Sequence, residues 1–164
     1  MAETLIFSVP KENRAIRYKE LVPQISSLLQ GEFDETACFA NTTAAINEAF
    51  SFFWVGFYRV ISNELVLGPF QGPIACTRIQ KNRGVCGTAW HLDKTILVPD
   101  VDLFPGHIAC SSASKSEIVI PLRNNQGVVM SILDIDSDKL NDFTEIDQLG
   151  LELICLHLQK HLYD

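Results

Sequence analysis

Apolar positions recur along the chain with two periods, and the alternation between them predicts the order of elements. Over residues 11–31, Leu21, Ile25, Leu28 and Leu29 fall at helical spacing, and Gly31 is placed to stop the helix. From Asp34, a residue suited to capping, Phe39, Ile46, Ala49 and Phe50 mark a second helical stripe with Cys38 inside it. Residues 52–60 are aromatic and β-branched, Ser62-Asn63 can turn, and residues 64–70 read as a returning strand. A second hairpin is predicted from residues 118–122 and 128–136 around Asn124-Asn125-Gln126-Gly127. Thr144 then opens a terminal helix whose apolar stripe is read as Ile146, Leu149, Leu153 and Leu156.

Between the hairpins, residues 68–117 are rich in Gly, Pro and Ser, with only a helical turn after Gly84 and a short strand at 95–98 expected. That order implies an α+β fold: a mostly antiparallel sheet, helices from both ends of the chain on one face, and long loops on the other. No repeat or linker interrupts residues 1–164, so one domain is expected. Loop in such quantity often walls a pocket.

Composition narrows the function. Of 164 residues, 47% are hydrophobic and 20% charged, and the formal net charge of −7 leaves no basic surface for a nucleic acid backbone. No apolar run approaches the roughly 18 to 20 residues of a membrane span, and the N-terminus lacks the marks of a signal peptide, so a cytoplasmic setting is expected. Five cysteines in a reducing compartment are expected as thiols rather than as a disulfide framework.

Position divides those cysteines. Cys38 and Cys155 lie in amphipathic helices and read as small buried hydrophobes. Cys76, Cys86 and Cys110 lie in the loop-rich section, where a nucleophile with resolving partners, burial, or a metal site with His107 are all open. Glu117, Asp134 and Asp136 present a similar choice. The two aspartates share a strand face with Val128, Met130 and Ile132, so the acids either line a pocket or end their strands in solvent. Close together in a dry site, they would raise one another's pKa and keep a proton available near neutral pH. Trp54 and Tyr58, four apart on one strand face, read as core or as a pocket wall suited to a thioether-like group.

Taken in order, FWVGFY (53–58), LGPFQGPIAC (67–76), GVCGTA (84–89), FPGHIAC (104–110), SEIVIPL (116–122) and ILDIDS (132–137) resemble the free methionine-R-sulfoxide reductases, a GAF-domain family. The resemblance implies a GAF fold and reduction of free L-methionine-R-sulfoxide to methionine without a cofactor or metal. It implies Cys110 as the nucleophile that becomes a sulfenic acid, Cys76 as the resolving thiol and Cys86 as an auxiliary thiol. A thioredoxin-like dithiol would recycle them.

By the same resemblance Glu117, Asp134 and Asp136 are the acidic pocket residues, and Trp54 and Tyr58 the pocket aromatics. His107 is the nearest candidate base for Cys110, against a structural or substrate-contacting role. The chain departs from the family at Ser111, where an aspartate is usual, at Ser131 in place of glycine, and over residues 80–83, which lack the usual proline and first glycine. Loss of a negative charge at Ser111 favours thiolate formation at the neighbouring cysteine. A GAF module that binds a small ligand without chemistry is the alternative reading. The terminal helices offer a contact surface for a homodimer, and neither nucleic acid nor membrane is expected as a partner.

Overall fold

The computed structural model describes residues 4–107 and 112–164. Its sheet is antiparallel throughout and built from β1 (Trp54–Ile61), β2 (Glu64–Gln71), β3 (Arg78–Ile79), β4 (Ile96–Val98), β5 (Ser116–Arg123) and β6 (Val129–Ser137). The strands lie in the order β3-β2-β1-β6-β5-β4, which puts β1 and β6 at the centre with β5 beside β6. Both predicted hairpins form. Ser62 and Asn63 have φ of 50° and 62°, the left-handed pair that suits the twist of a tight hairpin. In the other turn the Asn124 side-chain oxygen accepts from the backbone N–H groups of Gln126 and Val128.

Three helices, α1 (Arg14–Leu29), α2 (Glu35–Phe50) and α4 (Glu145–Tyr163), cover one face. Leu21, Ile25, Phe39 and Ile46 pack there against Val55, Phe57, Ile118, Leu133 and Ile135, the alternate residues of the central strands. Asp34 caps α2 by accepting from the Ala37 N–H at 2.9 Å. Cys38 and Cys155 are buried free thiols in this core, as their helical positions predict.

The terminal helix presents the face opposite to the predicted one. Ile146, Leu149, Leu153 and Leu156 are exposed, and the buried row is Gly150, Leu151, Ile154, Cys155 and Leu158. Both rows repeat at helical spacing, so periodicity alone cannot choose between them. Close approach and charge make the choice. Gly150 lies flat against the Tyr18 ring of α1, where a Cβ would come within 2.3 Å of the ring. Asp147, fully buried, accepts from the Thr144 N–H at 2.8 Å, the Tyr18 hydroxyl at 3.1 Å and the Arg14 guanidinium at 3.0 Å. An acid buried with three donors fixes the rotation of the helix more firmly than four leucine-type side chains do. Gly150→Ala should therefore destabilise the protein by about 1 to 3 kcal/mol, despite alanine's better helix propensity, because the ring is pinned. A denaturant midpoint no lower than that of the unsubstituted protein would contradict this packing account.

On the opposite face the middle section holds more regular structure than expected. Residues Gly84–Leu92 form a nine-residue helix, α3, so Cys86 sits in the first turn of a helix and not on a loop. Two glycines hide this helix from propensity. Gly87 is required there because a Cβ would lie 2.3 Å from the Gln80 carbonyl oxygen. Val85, Cys86, Ala89 and Trp90 pack beneath the sheet with Trp54, Tyr58, Val119 and Ile132. Val128, predicted to share that row, precedes β6 and is exposed, while Val129 joins the cluster. The β5–β6 pairing shifts register between Leu122 and Arg123, which moves the alternation by one residue.

Candidate active site

The second face carries an open cavity of ≈ 570 Å³, counted together with the solvent space at its mouth. Strand alternation furnishes its floor. Trp54 pairs with Asp136, Gly56 with Asp134, Glu117 with Asp136, and Val119 with Asp134, so the three acids stand on adjacent strands facing one space. They line the cavity with Trp54, Tyr58 and Cys86, and the reading of solvent-exposed strand ends does not hold. Glu117 is 5% exposed and Asp134 6%.

The aromatic residues are wall and brace together. The Trp54 indole lies across Gly56, where any Cβ would collide with the ring at 2.2 Å, and stacks on Phe70 at 5.4 Å. Its indole N–H donates to the Pro73 carbonyl at 3.0 Å, and the Tyr58 hydroxyl donates to the Cys76 carbonyl at 2.9 Å. Both polar tips thus hold the 73–76 segment against the cavity. Cys76 is half-buried and disulfide-bonded, whereas Cys86 is a free thiol. The predicted nucleophile, Cys110, lies outside the described residues, as does Ser111.

Burial is the first cause of the site's electrostatics. It raises Glu117 and Asp134 well above the usual carboxylate range; repulsion from Asp134 and Asp136 adds to the shift of Glu117, and repulsion from Asp136 to that of Asp134, whose hydrogen bonds to Cys86 and Glu117 act in the other direction. Asp136 rises to about 6, also by burial, while a hydrogen bond from the Ser114 hydroxyl works in the opposite direction. The Cys86 thiol is pushed well up by burial and by Asp134 and Glu117, and it donates to Glu117 Oε1 at 3.7 Å. Among the described residues no cation pairs with any of the three acids. The cluster therefore favours its protonated form more than free carboxyls do, and a carboxyl so placed can donate to a polar group of a bound molecule.

Three features of the site escaped sequence reasoning. Ser114, buried beside Asp136, sits in a serine-rich run with no motif of its own. Arg83 lines the cavity from the position just before α3, and without that helix its placement has no sequence signal. Cys86 joins the acids rather than a mobile loop. His107 also lines the cavity. The four-residue metal set with Cys76, Cys86, His107 and Cys110 is not assembled, because Cys76 is already in a disulfide. Among the described residues, the donors that do lie together are Cys86, Glu117 and Asp134, whose ligand atoms are all within 4.8 Å of one another.

A six-stranded antiparallel sheet with helices on one face and a walled pocket on the other is the GAF architecture, and the GAF domain family model matches residues 34–162. Helix α1 precedes that match yet packs on α4 in the same core. The chain is 62% identical over 155 residues to GAF domain-containing protein A of Dictyostelium discoideum, covering 94% of this chain and 96% of the relative. It is 44% identical over 152 residues to the free methionine-R-sulfoxide reductase of Escherichia coli, covering 92% and 91%. The crystal structure of the free methionine-R-sulfoxide reductase of Neisseria meningitidis in complex with its substrate superposes with a TM-score of 0.92 at 50% identity, over 98% of this chain and 95% of that one. The chain belongs to the free methionine-R-sulfoxide reductase family of GAF-domain proteins.

Proposed function

We propose that the protein reduces free L-methionine-R-sulfoxide to L-methionine in the cavity between β1, β5, β6 and α3. The observation that carries this reading is the proton-holding cluster of Glu117, Asp134 and Asp136 beneath an aromatic wall. A sulfoxide sulfur becomes electrophilic only as its oxygen is protonated, and these acids are poised to supply that proton. Trp54 and Tyr58 offer the methyl-thioether end a polarisable surface. Acid not spent on the oxygen receives the substrate ammonium, which favours a free amino acid over a peptide residue.

In this reading Cys110 attacks the sulfur and accepts the oxygen. The sulfoxide gains two electrons and leaves as methionine, and Cys110 is oxidised to a sulfenic acid. The Cys76 thiol then attacks Sγ of Cys110, releasing water and forming a disulfide. A disulfide at Cys76, with Cys38, Cys86 and Cys155 all free, agrees with that pairing. Cys86, buried against Glu117, stays out of this first disulfide and serves as an auxiliary thiol in recycling. A thioredoxin-like dithiol takes up the oxidising equivalents in the cytosol. The whole of residues 1–164 acts as one GAF unit, and the exposed apolar row of α4 is where a second copy of the chain would pack. Among the described residues no helix is long and apolar enough to cross a membrane.

The test is stereospecific. With dithiothreitol as reductant, the protein should convert the free R epimer to methionine and leave the S epimer and peptide-bound sulfoxide nearly untouched. Tight binding of the R epimer without product would return the alternative of a non-catalytic ligand-binding module.

A further inference from the structure

We infer that Cys86, Glu117 and Asp134 form a binding site for a borderline-soft divalent cation of the zinc class at the floor of the cavity. The three donors come from three rigid elements, the first turn of α3, β5 and β6, and their ligand atoms lie within 4.8 Å of one another. All three residues are buried. Asp134 Oδ1 has no hydrogen-bond partner among the described residues, although Asp134 is more than nine-tenths buried and lines the cavity. A buried carboxyl oxygen left without a partner is costly, and a cation that displaces the proton of the group satisfies it directly.

The donor set selects the ion. One thiolate and two carboxylates suit Zn²⁺ or Co²⁺, whereas Mg²⁺ and Ca²⁺ prefer oxygen alone. Metal–sulfur and metal–oxygen distances of about 2.3 and 2.0 Å need donor separations somewhat shorter than those present. Side-chain rotation about fixed backbones can supply that contraction. Three protein ligands leave a fourth position for a small exogenous donor. Asp136 is not recruited, because the Ser114 hydroxyl already engages it. Loading the site displaces protons from the thiol and the acids, so affinity rises with pH. If the proposed reaction takes place in this cavity, on which this step rests, the ion and the substrate exclude one another and the metal acts as a reversible inhibitor.

Cobalt tests the site on oxidised protein, where Cys76 is held in its disulfide and cannot contribute a ligand. Co²⁺ should bind at one equivalent, show a thiolate-to-cobalt charge-transfer band in the near ultraviolet, and be displaced by Zn²⁺. Cys86→Ser should lose the band and bind at least tenfold more weakly, Asp134→Asn should weaken binding while retaining the band, and Cys38→Ser should change nothing. Absence of cobalt binding, or a charge-transfer band that survives Cys86→Ser, would overturn the site. Near-ultraviolet circular dichroism of each variant confirms folding, and the wild-type titration stands alone if one variant fails to fold. Methionine should displace the cobalt. Cobalt that binds through the thiolate but resists methionine upholds the ion site and counts against the cavity as the methionine pocket.

Discussion

Cys110→Ser should abolish steady-state reduction of free methionine-R-sulfoxide, with a fall on the order of 10⁴-fold or more. A serine hydroxyl stays protonated at neutral pH, is a far weaker nucleophile, and cannot hold the transferred oxygen as a sulfenic acid. Three of the other described cysteines are poorly placed to stand in. Cys38 and Cys155 are buried on the helical side of the sheet, and the Cys86 thiol is driven toward its neutral form by burial and two acids. Cys76→Ser should differ in kind. It should keep one stoichiometric turnover per protein and lose recycling by a thioredoxin-like dithiol, since the sulfenic acid then has no resolving partner. The two variants are separated by quantifying methionine released in a single turnover and again at steady state. Residual steady-state activity within tenfold of wild type in Cys110→Ser would remove that residue from the reaction. Unchanged recycling in Cys76→Ser would reassign the resolving thiol.

What the sequence makes legible follows from how each signal is generated. Period-two alternation is rigid, so Trp54 with Tyr58, and Asp134 with Asp136, could be placed on shared faces without knowing the fold. The local turns are equally readable, because Ser62-Asn63 and the Asn124 turn are set by their own residues. Rotation of α4 is not local. It depends on Gly150 meeting Tyr18, and on Asp147 meeting Arg14, over more than 125 residues of chain. Helix α3 reads as no more than a turn for a related reason: Gly87 is there for close packing on the 80–82 backbone and Gly84 has a φ of 60°, and both read as loop when the tertiary contact is unknown. Ser114 and Arg83 enter the site through tertiary placement alone. The acids illustrate the limit of pattern. Alternation puts Asp134 and Asp136 on one face, but only strand order brings Glu117 opposite Asp136 and so creates the shared proton site.

That proton site leads to the second large effect. Glu117→Gln and Asp134→Asn should each lower kcat by roughly 10²- to 10⁴-fold, because an amide can hydrogen-bond the sulfoxide oxygen yet cannot transfer a proton to it. Wild-type rates should fall on the alkaline side as the cluster gives up its protons, with apparent values that belong to the group and not to one residue. Stability should fall in the same direction. A carboxyl whose pKa is raised on folding contributes stability that is full below its unfolded value and lost as pH rises through its folded value. For Asp136 this window runs from about 4 to about 6 and corresponds to about 3 kcal/mol. Glu117 and Asp134, raised well above the usual range, lose theirs at higher pH still. An amide at either position carries no such pH-dependent loss, so both variants should be at least as resistant to denaturant as wild type at pH 8. Lost activity joined to undiminished stability marks a group kept for its proton rather than for the fold. A variant that loses activity and stability together at pH 8 would instead assign that carboxyl a structural role.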